Sequence, residues 1–487
     1  MIRSFGFLLS GNACAAAILL LRTVVVSRLI SLEDFGIGTS LVLALAMIEM
    51  LTALGFQQQI VNDPNGDDAD IHSALHGVAL IRGMIGAAAL FLLAPLLARA
   101  FGVLQLTWAF QLISVAPLLQ GGMHLDVYRQ TRHHKHRAAI WIALLPPLGS
   151  LAALLPLSRM FDDFRIMLFA VLVHMALGTL VSHVVAKRPY RLRFDRTVMV
   201  QSMRLGWPLM ASGAVMFLVF NGERAIVGRL LGLEALALFS MAVSLTLTPS
   251  LVLMRSTMSL FLPRLSANTA PPEFRAQAIT TIQSHIVLAA VMVTAVCLFG
   301  GSFVHHVLGG KYRAVLPLLT LLTAVQALRV AKGGCAIVAL GEGYRKTELL
   351  TDLLRIAFLP LAAWGVMQGA PLTRVVHIAA LGEAAGLMIA LLWMHRVQRV
   401  PLRPLAPPLI CMVAVLAWAV FTQDQPTGFR AAGFGLLLAG LLLALPDVRR
   451  MMNKQHIGWS PRQYSTVKQT LTARETCPGQ SNGSRSP

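Results

Sequence analysis

The sequence predicts an all-α polytopic membrane protein of about 14 transmembrane helices, in two parallel six-helix bundles followed by two additional spans. Three observations lead there. The 487 residues are 56% hydrophobic and 13% charged, with a mean hydropathy of +0.69, more apolar surface than a water-soluble fold can hide. The apolar residues fall in runs of roughly 17–25, the length a helix needs to cross about 30 Å of hydrocarbon. One stretch also recurs. Arg22 to Glu33 (RTVVVSRLISLE) lies over Glu223 to Glu234 (ERAIVGRLLGLE) with five of the twelve positions identical, among them Val26/Val227, Arg28/Arg229 and Glu33/Glu234. Each copy runs from an apolar helix into a short polar turn. Such a repeat is expected of a transporter built from two related halves.

The expected spans are 5–30, 37–60, 75–98, 104–122, 139–158, 164–186, 205–229, 233–261, 279–301, 314–340, 347–368, 373–395, 405–422 and 429–446. The first is expected to stay in the mature chain as a membrane helix, because its hydrophobicity runs on past Cys14 to Ile30. The span at 139–158 carries a break at Pro146-Pro147, and that at 205–229 holds Glu223 and Arg224. Pro117, Pro208, Pro249, Pro317 and Pro360 lie within or near other spans, where prolines kink membrane helices.

Orientation follows from the loops. With the N-terminus inside, one side collects 25 Lys and Arg and the other eight, which places both termini in the cytoplasm. The acidic loop NDPNGDDAD (62–70) falls on the basic side, but acids weigh little in this rule and a solvated turn is expected there. Six spans separate the two repeat copies, so the halves run parallel. The expected organisation is an N-terminal bundle over 1–186, a basic cytoplasmic linker over 187–204, a second bundle over 205–396, two further spans within 397–446 and a disordered polar tail over 447–487. The net charge of +20 is assigned to cytoplasmic loops facing membrane lipids, with no nucleic acid as partner.

Ionisable groups inside apolar spans carry the functional information. The bases are Arg22, Arg28, Arg82, Arg224, Arg255, Arg329, Lys332 and Arg355; the acids are Glu49, Glu223, Asp352 and Glu383. A centred Arg facing lipid costs about 2.5–3.5 kcal/mol, so eight cost about 20–28 kcal/mol, beyond the roughly 5–15 kcal/mol that holds a whole domain. They must therefore snorkel, as expected for Arg28 and Arg355, pair with acids, or line a hydrated cavity. Asp352 and Arg355, three apart on a helix, are expected to satisfy each other. Arg329 and Lys332 share that spacing but repel unless an anion lies between them. The excess of bases suits an anionic, phosphate-bearing substrate.

Chemistry of other kinds finds little support. There is no GxSxG, HExxH or P-loop and no long loop to house an active site, so no enzyme and no cofactor are expected. Cys14, Cys297, Cys335, Cys411 and Cys477 are scattered and read as small hydrophobes or tail. The cluster RHHKHR (132–137) lacks acids or cysteines at ligand spacing and reads as a basic, headgroup-facing loop with no metal.

LISLEDFGIGT (29–39) resembles the end of the first helix in polysaccharide exporters of the MATE-like flippase superfamily. LGFQQQIV (54–61) and APLLARAFG (94–102) are similar to the second-to-third-helix pattern of that group, and ERAIVGRLLGLEALALFSMA (223–242) and LGGKYRAVLPLL (308–319) fit its second half. The likeness covers about residues 1–400 and points to Wzx-type flippases, near the exopolysaccharide exporter branch. It implies a V of two bundles around a central cavity, rocking between inward- and outward-open states. It also implies that an undecaprenyl-pyrophosphate-linked oligosaccharide is turned across the bacterial inner membrane, with room for a polysaccharide polymerase and chain-length machinery as partners. Arginines of the first and eighth helices serve the cavity in related lipid flippases, and Arg22 and Arg255 stand in those helices here.

The expected diphosphate site is thus Arg22, Arg82, Arg224, Arg255, Arg329 and Lys332, with Glu49, Glu223, Asp352 and Glu383 as candidates for ion coupling. Two alternatives stand beside it. A cation-coupled drug antiporter of the same fold calls for an acidic pocket. A glycan-assembly enzyme calls for detectable lengthening of lipid-linked glycan.

Overall fold

The computed structural model describes residues 2–267, 271–344, 346–422, 425, 427–443 and 445. The expected tail, with Cys477, lies outside the described residues. The first half contains α1 (Ile2–Leu29), α2 (Leu32–Leu51), α3 (Phe56–Asn62), α4 (Ala69–Ala100), α5 (Thr107–Ile113), α6 (Val115–Gly121), α7 (Asp126–Arg132), α8 (Arg137–Ala152), α9 (Leu154–Met160) and α10 (Arg165–Val184). The second contains α11 (Arg196–Leu230), α12 (Leu233–Ala267), α13 (Pro271–Phe303), α14 (Val315–Gly341), α15 (Lys346–Ala357), α16 (Leu359–Met367) and α17 (Leu372–Val397), followed by α18 (Ala406–Phe421) and α19 (Thr427–Leu443).

Eleven helical segments among the described residues are long and apolar enough to cross a membrane. The other three expected spans coincide with α1, with the broken run through α5 and α6, and with α19. The short helices α3 and α7 lie between spans on one face and pack on each other. Arg132 ties them together, donating from NH1 to the carbonyls of Ile60 (3.1 Å), Val61 (3.1 Å) and Asp63. That guanidinium takes carbonyls that α3 leaves unpaired at its end.

Boundaries differ from expectation at four places, the first being the expected span 37–60, which divides into α2, ending at Leu51, and α3, starting at Phe56. The helix α8 runs through Pro146 and Pro147 to Ala152, and the break comes instead between α8 and α9. Such helices persist where neighbouring helices pack around the freed carbonyls, here those of Ile142 and Ala143, and α8 is packed on both α1 and α10. The helix α11 starts at Arg196, inside the segment expected as linker, because Asp195 caps it: its Oδ1 accepts from Thr197 N at 2.9 Å and Val198 N at 3.3 Å. The span at 347–368 is divided at Phe358 into α15 and α16, with Pro360 in the first turn of α16.

The two repeat copies form the same element twice, a helix end, a turn and the start of the next helix. Ser31 caps α2 from extended backbone, accepting from Asp34 N at 3.0 Å, whereas Gly232 at the matching turn has φ +91° and needs to be glycine. The turns meet. A Cβ on Gly36 falls 2.1 Å from Leu233 O, so the start of α2 lies on the start of α12. At its other end α2 lies on α11, where a Cβ on Gly213 falls 2.0 Å from Met50 O. One apolar core joins both halves at the turns, with Val26, Ile30 and Phe35 packed among Val227, Leu236, Phe239 and Tyr312.

Candidate functional site

The in-span charges divide into two groups. The first is a buried hub in the second half. Glu383 on α17 is fully buried and faces three cations: Arg329 Nε at 2.9 Å, Lys332 Nζ at 3.0 Å and Arg355 Nε at 3.1 Å. Lys332 also reaches Asp352 Oδ1 at 3.3 Å, and Arg355 NH2 reaches Glu223 Oε1 at 2.8 Å. Gln326 accepts from Arg329 NH1 at 3.2 Å and from Ser250 Oγ at 3.3 Å, and the Arg329 guanidinium lies over the Phe220 ring at 5.3 Å. The helices α11, α14, α15 and α17 thus supply three bases and three carboxylates whose formal charges cancel.

The hub corrects several expectations. The anion required between Arg329 and Lys332 is Glu383 itself, so these two proposed diphosphate ligands already hold a carboxylate. Asp352 and Arg355 do not take each other as ion-pair partners: Asp352 takes Lys332, and Arg355 takes Glu223 and Glu383. Arg355 is 3% exposed and does not snorkel. Arg28 is exposed, but its guanidinium is spent on the opposite half, donating from Nε to Val307 O and from NH2 to His306 O, both at 2.5 Å. The three-residue spacing of bases on α14 was legible, but nothing in the chain shows that Glu383, 54 residues beyond Arg329, lands between them.

The second group consists of four arginines with no carboxylate ion pair among the described residues. Arg22 on α1 donates from NH1 to Ser150 Oγ at 3.2 Å. Arg82 on α4 donates to Thr52 Oγ1 at 3.3 Å and Gln120 Oε1 at 3.1 Å. Arg224 on α11 donates from NH1 to Asn221 Oδ1 at 3.1 Å and keeps a buried Nε without a partner. Arg255 on α12 is exposed and takes no hydrogen bond or ion pair among the described residues. Neutral oxygens leave a guanidinium its full charge and spare donors. These arginines stand on α1, α4, α11 and α12, all helices through which the halves touch: α2 packs on α11 and α12, α4 on α11, and α1 on α12. Glu49, on α2, is likewise outside any ion pair among the described residues, and its Oε1 is buried with no donor.

A further cluster, unanticipated in the sequence, holds the connection between the halves. His76 Nε2 accepts from Leu125 N at 3.1 Å, which leaves Nδ1–H to donate to Arg191 O at 3.2 Å. His124 Nδ1 accepts from Asp126 N at 3.1 Å, and its Nε2–H donates to Arg188 O at 2.9 Å. Both rings are neutral in this arrangement, and Tyr190 packs against both. Burial lowers the His124 pKa, opposed by the Arg188 carbonyl and by Asp126. Burial pushes the Asp126 carboxyl up, but bonds from Arg129, the Lys187 N–H and Gln130 outweigh it and hold the group at about 2. The four-residue spacing of His72 and His76 was the available signal; their partners are some fifty residues further on.

No group of side chains suited to a metal ion occurs among the described residues. Over residues 25–317 the sequence matches a family described as "Polysaccharide biosynthesis protein". It is similar to the succinoglycan biosynthesis transport protein ExoT of Rhizobium meliloti (strain 1021), at 21% identity over 430 residues, covering 86% of this chain and 80% of that protein. Its fold is similar to the lipid II flippase MurJ in an inward closed conformation, with a TM-score of 0.67 and 13% identity over 92% of this chain and 99% of that one. It is also similar to a multidrug resistance MATE family transporter of the MOP superfamily in its inward-facing conformation, with a TM-score of 0.62 and 14% identity over 83% of this chain and 95% of that one.

Proposed function

The chain belongs to this family of polysaccharide biosynthesis proteins, and from that premise we propose that it is a flippase for polyprenyl-diphosphate-linked oligosaccharides in the bacterial inner membrane. Both termini lie in the cytoplasm, as the loop charge asymmetry favours. The observation that carries the reading is the set of four carboxylate-free arginines, two in each half, on helices where the halves meet. A diphosphate takes several guanidinium donors at once. Arg22 and Arg224, both within two turns of the helix ends that meet, would engage it near the turn face, and Arg82 and Arg255, further along their helices, at another stage of its passage, while the prenyl chain stays in lipid. The charge-balanced hub around Glu383 then serves to fix α11, α14, α15 and α17 as one body, and not to bind cargo.

Alternating access follows from where the fixed contacts are. Rocking would open the α2–α12 and Arg28–Val307 contacts at the turn face, with the apolar core around them, while the α2–α11 contact at Gly213 shifts at the other end and each half stays intact. Proton coupling would fall to Glu49: an ionised carboxylate with one buried, donor-free oxygen is costly, and protonation removes that cost. The hub carboxylates Glu223, Asp352 and Glu383 are engaged by fixed cations and are poorer candidates.

The drug-antiporter reading shares the fold, but the in-span groups outside ion pairs are four arginines against one acid, Glu49, an excess of positive charge that repels cationic drugs. A catalytic reading would rest on Thr257 Oγ1 and His285 Nε2, 2.9 Å apart, but both residues are buried among the helices of the second half. The test is polymer export in a strain whose only copy carries Arg22→Ala with Arg255→Ala. The proposal expects export to fall at least about tenfold, the loss of two charge-assisted contacts, with membrane protein levels unchanged. Normal export by the double variant overturns it.

A further inference from the structure

The face that carries α3, α7 and the connection between the halves has a second cationic feature, separate from the four in-span arginines. The helix α7 ends in a Schellman turn: His134 N donates to Thr131 O at 2.9 Å and Lys135 N to Gln130 O at 2.8 Å. His134 takes φ +56°, a position that glycine usually fills. The turn swings the chain directly into α8, so Lys135, His136 and Arg137 are delivered together at the start of that helix. His136 is the N-cap residue but makes no side-chain cap, and its Nδ1 is buried without a partner. The first N–H groups of a 16-residue helix therefore lack a side-chain acceptor.

These groups open onto a cavity of about 840 Å³ lined by His134, Lys135, His136, Arg137, Trp141 and Lys187 among others. Among the described residues no acid lines it. The acids of this face are occupied elsewhere: Asp126 accepts from Arg129, Gln130 and the Lys187 N–H, and Asp67 from Arg188 while facing Arg129 and His133. Among the described residues the side chains of Lys135, Arg137 and Lys187 are left without an ion pair. Trp141 stands one turn into α8 at the cavity wall and is 52% exposed, as an interfacial aromatic anchor is.

We propose that this cavity is a binding site for the phosphate headgroup of an anionic membrane phospholipid. Uncapped helix N–H groups and three free cations supply the anion site, and Trp141 sets it at the depth where a lipid phosphate lies. The lipid belongs to the leaflet on the basic face of the protein. Naming that leaflet cytoplasmic rests on the orientation proposed above, but the binding itself does not.

The test uses full-length protein in nanodiscs and the fluorescence of Trp141, isolated as the difference between wild type and Trp141→Phe. Chain-brominated phosphatidylglycerol is titrated against chain-brominated phosphatidylcholine as quencher. The proposal expects phosphatidylglycerol to be preferred about a hundredfold, with each of the three cations removed lowering the preference by about fivefold. Lys135→Ala with Arg137→Ala and Lys187→Ala abolishes the preference, while Lys135→Arg with Lys187→Arg keeps it. Equal quenching by the two lipids in the wild type overturns the proposal without reference to any variant. Displacement of phosphatidylglycerol by millimolar inorganic phosphate also overturns it, since the ligand would then be a soluble phosphate.

Discussion

Replacing Glu383 with Gln removes the charge that three buried cations share. The carboxylate is 0% exposed and lies 2.9 Å, 3.0 Å and 3.1 Å from Arg329, Lys332 and Arg355. In the Glu383→Gln variant the hub holds three bases against Glu223 and Asp352, one uncompensated positive charge away from water. Breaking a buried pair by removing one partner costs about 3–5 kcal/mol. For a unit of roughly 200 residues, melting shifts by about 2–4 °C per kcal/mol, so a fall of about 6–20 °C is expected. The buried thiols of Cys297 and Cys335, at 5% and 2% exposure, report it through a thiol-reactive dye during a thermal ramp in detergent. Adding Arg329→Met to the Gln variant removes the base whose carboxylate partner among the described residues was Glu383, and leaves two bases paired with two acids, Lys332 with Asp352 and Arg355 with Glu223. The double variant should recover at least half of the loss, a coupling of about 1–3 kcal/mol. An unchanged melting temperature in the single variant, or a double variant that only adds to the damage, would refute the reasoning that the hub is one charge-balanced unit.

Three other outcomes follow. Gly36→Ala forces a Cβ to 2.1 Å from Leu233 O, and overpacking costs about 1–3 kcal/mol, so labelling of an Ile30→Cys reporter at the closed turn face should speed up about 5- to 150-fold. Lowering pH should loosen residues 187–195: the His124 pKa is lowered on folding, so its contribution is complete above about 6.5 and fades as pH falls toward the folded value. Asp126, held at about 2, keeps its contribution down to about pH 4, so the protection of the 187–195 amides, corrected for intrinsic exchange, should fall between pH 7 and pH 5, and His124→Asn should lessen that pH dependence, with neutral His76 on Arg191 O keeping the rest. Glu49→Gln should leave diphosphate-substrate binding within about twofold while making transport insensitive to the proton gradient, read in vesicles with an imposed pH difference.

The membrane class and the paired halves were legible because they rest on sums over many residues: apolar runs of bilayer length, and a turn repeated at Ser31 and Gly232. The start of α11 could also have been read, since Asp195 followed by Arg-Thr-Val is a capping signal placed just before an apolar run. What could not be read is pairing across distance. Arg329 and Lys332 looked like free cations because their carboxylate stands on another helix, and the like-charge spacing that suggested a bound anion was correct about the need but silent about the source. Arg355 looked like a snorkelling end residue for the same reason. Pro146 and Pro147 misled in the opposite direction: a local rule that breaks soluble helices gives way where neighbouring helices support the freed carbonyls.

The most direct measurement is of cargo recognition by purified protein in proteoliposomes. A fluorescent oligosaccharide is attached through a diphosphate to a polyprenyl chain, and the same sugar is attached to that chain through a neutral ether. The account predicts that the diphosphate compound binds at least about a hundredfold more tightly, and that Arg22→Gln with Arg255→Gln removes most of that difference. Equal affinity for the two compounds, or a double Gln variant that still discriminates between them, contradicts it.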